Sequence, residues 1–158
     1  MSSPPSRSQM DAGVKHKDFA ESVPCMNFSM TFMVYSAVLQ WSHWPLTSTD
    51  GTDWLCADPS EGKLMTRLMP PVGARFPPQP LLSEFVITDG QWHRIGFVRD
   101  GSQRMLYVDD VKVATDTQAS LVYSTGGLYI GAGSNLEPGS FFSGLIDDVR
   151  IYNRAVKP

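Results

Sequence analysis

The chain has 158 residues, enough for one domain with a sizeable core. Hydrophobic residues make up 42% and charged residues 18%, a globular balance that excludes a wholly disordered chain. The formal net charge is −3, and Lys and Arg are scattered without runs, which argues against nucleic acid as a partner.

Residues 1–24 are polar and rich in Ser and Pro, without periodicity, and are expected to form a partly disordered tail. No secretory signal is visible there, so the chain reads as cytoplasmic as written, or as extracellular if it is a fragment of a longer secreted protein. The apolar run at residues 26–39 is too short to span a bilayer, and no membrane association is expected. Within it, Phe28, Met30, Phe32 and Val34 alternate with smaller or polar residues, the period of a strand over 28–35. Residues 37–41 continue the sheet, and residues 42–52 read as a loop by their Pro, Ser, Thr and Asp-Gly content. A hairpin follows, 53–57 and 63–69, around the turn sequence at 58–62. Five prolines in residues 70–80 exclude a central strand and predict an exposed excursion.

Strands are expected at 82–88 and 92–99, separated by Asp89-Gly90-Gln91, with Trp92 in the core. Asp100-Gly101 turns the chain into 104–109, and Asp109-Asp110 turns it into 111–115, although a type I′ turn prefers Gly at its second central position. Residues 128–132 and 144–152 complete the set, with Gly144 marking an entry bend. Within 145–152, Ile146, Val149, Ile151 and Tyr152 favour a pleated surface, yet Asp147 and Asp148 interrupt them. Neighbours on a strand point to opposite faces, so one of these carboxylates requires a hydrogen-bond partner, a cation or a bulge. Short strands between regular turn signals, with no helix longer than a turn, indicate an all-β sandwich of two antiparallel sheets.

Residues 142–156, FSGLIDDVRIYNRAV, look like the closing strand of the laminin-G-like branch of the concanavalin A-like lectin/glucanase superfamily. The blocks DGQWHRIGFVRDGSQRMLYVD at 89–109 and GLYIGAG at 127–133 are similar to the same family's central strands. The resemblance implies a concanavalin A-like jelly-roll domain over residues 25–158. Family members open with an apolar strand that pairs beside the closing one. Residues 1–24 do not match it, so the opening strand is missing or divergent here. An unpaired apolar edge invites strand addition, and a homodimer through that edge, or pairing with the chain's own residues 14–23, is expected.

For function, the resemblance leaves hydrolysis, metal binding and recognition to be weighed. The hydrolases of the superfamily carry Glu-x-Asp-x-Glu on one strand, because glycoside cleavage needs two carboxylates flanking one bond. Glu21, Glu61, Glu84 and Glu137 are isolated, so no enzyme is expected. Asp147 stands where glucanase relatives place a calcium ligand, making it a candidate for structural Ca²⁺; the competing reading pairs Asp147 or Asp148 with Arg150 or a backbone N–H. Trp41, Trp44 and Trp54 fall close together, and a Trp in a polar loop suits stacking on a sugar ring. His43, Trp44, Asp53 and Trp54 are therefore the candidate carbohydrate site at a loop rim. The plainer reading makes Trp41 and Trp54 core and Trp44 its cap. The alternative function is protein recognition or a structural module without a small ligand. Cys25 and Cys56 could close a disulfide worth about 3–4 kcal/mol in the chain-entropy model, or remain small buried thiols.

Overall fold

The computed structural model describes residues 27–36, 44–49, 52–58, 60–68, 79–118, 129–132 and 141–158; for 27, 28, 44–49 and 52–54 it describes the backbone. The predicted tail, residues 37–43 and most of the proline-rich excursion lie outside the described residues.

Ten strands form two antiparallel five-stranded sheets. Sheet A runs β10 (Leu145–Tyr152), β1 (Asn27–Tyr35), β6 (Trp92–Asp100), β7 (Gln103–Val108), β8 (Val111–Thr117). Sheet B runs β5 (Leu81–Val86), β4 (Lys63–Arg67), β3 (Thr52–Ala57), β2 (Trp44–Thr49), β9 (Tyr129–Ile130). This is the two-sheet jelly-roll sandwich that the strand pattern implies, and the described residues contain no helix.

Side-chain parity builds the core. Phe32 and Val34 of β1 lie directly across from Ile95 and His93 of β6, and Phe97 lies across from Leu106 of β7. The apolar members of this set pack, fully buried, with Leu55 and Leu64 of sheet B and with Leu68 just past β4. Sheet-on-sheet packing of this kind is why alternate residues of each strand must be apolar.

Two sequence expectations are corrected. The expected loop at 42–52 contains β2, which pairs with β3 up to Thr49 opposite Thr52; residues 50 and 51 lie outside the described residues. Asp-Gly is a strong short-hairpin signal, and Thr-rich flanks suit strands. Pro45 is tolerated because β9 pairs only with Thr47 and Ser48, leaving the proline outside that ladder. Trp92, expected in the core, is instead 46% exposed. Ile95, Phe97 and Arg99 point inward from β6, so parity sends His93 inward and Trp92 outward.

The closing strand has a neighbour. It pairs with β1, and the ladder carries a bulge where Met33 faces Asp147 and Thr31 faces Arg150. Asp148 sits in the bulge with φ of 46°, its carboxylate accepting from Arg150 Nε at 2.9 Å. Asp147 accepts the Asp148 N–H at 2.8 Å. Of the three remedies for two adjacent strand carboxylates, the chain uses a bulge together with local hydrogen bonds. Among the described residues no strand lies on the far side of β10.

Candidate functional site

Each end of the sandwich is closed by a polar cluster that extends the inward-facing rows. At one end, His93 is 6% exposed and held by two carboxylates. Nε2 lies 3.0 Å from Asp89 in the β5–β6 connection, and Nδ1 lies 2.8 Å from Asp109 in the β7–β8 turn. The Phe85 ring meets the imidazole edge-on at 5.4 Å. Asp109 also accepts the Arg94 N–H, and the Gly90 N–H of the β5–β6 connection donates to the Ser36 carbonyl. Burial pulls the His93 pKa down, but hydrogen bonds to Asp109 and Asp89 outweigh it and hold the pKa above the ordinary 6.5. The hydrogen bond from His93 in turn lowers the Asp89 pKa. Carboxylate oxygens on both ring nitrogens favour imidazolium, the form in which both nitrogens donate, in line with the raised pKa. With both nitrogens occupied, His93 is not free to act as a base.

At the other end, Arg99 and Arg104 lie opposite each other on β6 and β7, each 1% exposed. Arg104 binds Asp116 of β8 through two nitrogens, Nε at 2.7 Å and Nη2, and Nη2 also donates to the Gln79 carbonyl. Arg99 donates to the Gln118 carbonyl at 2.9 Å. These buried guanidiniums tie β6, β7 and β8 to the chain segments that close that end.

The candidate binding residues lie on sheet B. Trp44 opens β2 across from Ala57, and Asp53 and Trp54 are consecutive on β3. His43 lies outside the described residues. Strand pairing brings Asp53 directly opposite Arg67 of β4 and Ser48 of β2, and Ser48 directly opposite Tyr129 of β9. The register thus makes one row, Arg67–Asp53–Ser48–Tyr129, across four strands. Sequence reasoning missed Arg67 and Tyr129 because neither is near the Trp-rich stretch in sequence; only register joins them. In the neighbouring row Met65 lies opposite both Cys56 and Leu82, with Met65 itself buried. The Cys56 sulfur is fully buried and donates to the Met65 carbonyl at 3.5 Å, while Cys25 lies outside the described residues.

Catalytic and metal constellations are thin. Glu61 and Glu84, the described glutamates, both pair with Lys63 at 2.6 and 3.1 Å on the surface of the β3–β4 turn and β5. Among the described residues, no three His, Cys, Asp or Glu side chains gather where a metal could sit. Asp147 accepts the N–H of Asp148, whose carboxylate Arg150 engages, so among the described residues these donors do not make the six to eight oxygens that Ca²⁺ takes. No described helix is long and apolar enough to cross a membrane.

A family model described as the concanavalin A-like lectin/glucanases superfamily (Laminin_G_3) matches residues 9–158. The chain belongs to this superfamily. Among solved structures, it is similar to the CBM40 module of the Ruminococcus gnavus IT-sialidase bound to α2,3-sialyllactose, with TM-score 0.66 and 15% identity. That match covers 83% of this chain and 78% of the module. The SAP-like pentraxin of Limulus polyphemus matches with TM-score 0.57 and 16% identity over 83% of this chain. Domains LG4-5 of the mouse laminin alpha1 chain match with TM-score 0.60 and 15% identity over 82%. The chain spans 65% of the pentraxin and 38% of the laminin pair. At these identities the likeness is one of fold. No curated protein sequence matches the chain.

Proposed function

We propose that this superfamily member is a non-catalytic carbohydrate-recognition domain that binds through the β2–β3 hairpin and the strands beside it. The observation that carries this reading is the row Arg67–Asp53–Ser48–Tyr129, next to Trp54 in sequence and on the strand pair that Trp44 opens. A sugar offers C–H faces for an aromatic ring and hydroxyls that both donate and accept. Arg donates, Asp accepts, and Ser and Tyr do either, so the row has the chemistry a pyranose edge requires. The sialyllactose-bound CBM40 module, a structure of the same fold, supports the substrate class. The Lys63-bridged glutamates and the doubly bonded His93 support a binding role rather than hydrolysis.

Titration of an oligosaccharide panel, followed by tryptophan fluorescence, tests the reading. The expected result is a saturable shift for at least one glycan, absent in Trp44→Ala and weakened at least about tenfold in Arg67→Ala, the size expected for a hydrogen bond to a charged group. Silence across the panel favours a protein-interaction module. Reducing-sugar release that disappears on mutation of a carboxylate would overturn the non-catalytic assignment.

A further inference from the structure

The outer face of sheet A is divided into two halves. Residues 153–158 lie across one half: the Ser29 hydroxyl donates to the Arg154 carbonyl at 3.1 Å, and a Cβ built on Gly96 would stand 2.7 Å from Pro158 Cγ. Ser29, Thr31 and Val98 are consequently buried although parity turns them away from the core. The other half leaves Leu145 and Trp92 exposed, and within it Arg94 Nη1 lies 3.5 Å from Asp110 Oδ1 of the β7–β8 turn. It presents two rows across β10, β1 and β6, Leu145–Tyr35–Trp92 and Asp147–Met33–Arg94. Leu145 is 58% and Trp92 46% exposed, and the Tyr35 and Trp92 rings lie 5.8 Å apart with a 45° tilt.

We propose that this open half-face is the docking surface for a second copy of the chain, sheet A against sheet A, about a two-fold axis parallel to β1. The charge pattern selects that occupant. In the second row the cation is on β6 and the anion on β10, with Met33 between them. A two-fold axis along the central strand exchanges the flanking strands, so Arg94 faces the partner's Asp147 and Asp147 faces the partner's Arg94. In the first row the same operation lays Trp92 on the partner's Leu145 and Tyr35 on the partner's Tyr35. The surface is self-complementary in both shape class and charge, as an isologous contact requires. Trp, Tyr and Arg are also the residues that anchor such interfaces.

The alternative route to a homodimer, strand addition at β10, meets a blunted edge. The bulge at Asp147–Asp148, the positive φ of Asp148 and the exposed Arg150 are devices that obstruct edge pairing. The face of the sheet, not its edge, is therefore the assembly surface.

Sedimentation velocity without any glycan, from about 1 µM to about 500 µM, spans the range over which modest interfaces assemble. The mass is expected to rise from one chain to two. Trp92→Ser, an exposed substitution, keeps the chain monomeric while its near-ultraviolet circular dichroism retains a folded envelope. Arg94→Asp and Asp147→Arg each weaken the dimer at least tenfold, and the double reversal recovers it, which a merely destabilising change would not do. A single-chain mass throughout overturns the proposal. So does a dimer indifferent to Trp92→Ser. Because the measurement contains no glycan, its failure is separate from failure of the carbohydrate reading.

Discussion

At the scale of single residues, His93 shows how a side chain with chemical potential is committed to structure. Both nitrogens are bound to carboxylates, and the pair of contacts stitches the β5–β6 connection to the β7–β8 turn. Linkage gives a definite pH profile. A raised His pKa means His93 contributes stability that is fully present below its unfolded value of about 6.5 and is lost as pH rises through the folded value. A lowered Asp89 pKa contributes stability present above about 3.8 and lost as pH falls through the folded value. Thermal melts from pH 4 to pH 9 should therefore place the stability maximum on the acid side of neutrality, with a decline above about pH 6.5. His93→Asn should flatten that decline while lowering stability at pH 5. An unchanged profile in the variant would show that His93 does not govern it. The same residue explains a misreading of the sequence. Trp92 is large and apolar, and size suggested core; parity with Ile95 and Phe97 decided otherwise, because a strand cannot turn two neighbours to the same face.

At the scale of elements, turn chemistry made much of the fold legible. Asp109 and Asp110 adopt φ of 50° and 65°, the conformation a two-residue hairpin demands, although neither is glycine. The β3–β4 turn is equally local: the Asp58 carboxylate accepts the Glu61 N–H at 2.9 Å, and Gly62 supplies φ of 70°. The strand β2 was not legible, since Asp50-Gly51 serves loops and hairpins alike, and Ser-Thr sequences only become a strand once β3 is beside them. The binding row was least legible of all. Arg67, Asp53, Ser48 and Tyr129 come together through four strands' register, which no local pattern encodes. Gly144 was legible as a bend, and the structure supplies the reason: a Cβ there would stand 2.1 Å from the Tyr35 carbonyl oxygen and 2.7 Å from the Phe142 ring. Gly144→Ala must displace the entry of β10 from the end of β1. The expected cost is about 1–3 kcal/mol in urea unfolding, the range for forced overpacking. Hydrogen exchange should locate the loss at the β1–β10 ladder; wild-type stability in the variant would refute the close approach.

At the scale of the whole molecule, the two sheets divide the labour. The proposed carbohydrate row crosses sheet B, and the proposed assembly surface is the outer face of sheet A, so the sandwich separates them by its own thickness. A two-fold dimer formed through sheet A turns its two sheet B faces in opposite directions. Two such sites cannot engage one flat surface together, so dimerisation gives little avidity on a single glycan-coated plane. It does permit one dimer to bridge two particles. Glycan-bearing beads mixed with the wild-type chain above its dimerisation threshold should therefore aggregate, and aggregation should fall away on dilution. Trp92→Ser should bind the same beads without aggregating them, whereas Arg67→Ala should form dimers that neither bind well nor aggregate. The double reversal of Arg94 and Asp147 should restore aggregation along with the dimer. Equal aggregation by the Trp92→Ser monomer would place a second sugar site within one chain and break the link between the sheet A interface and bridging.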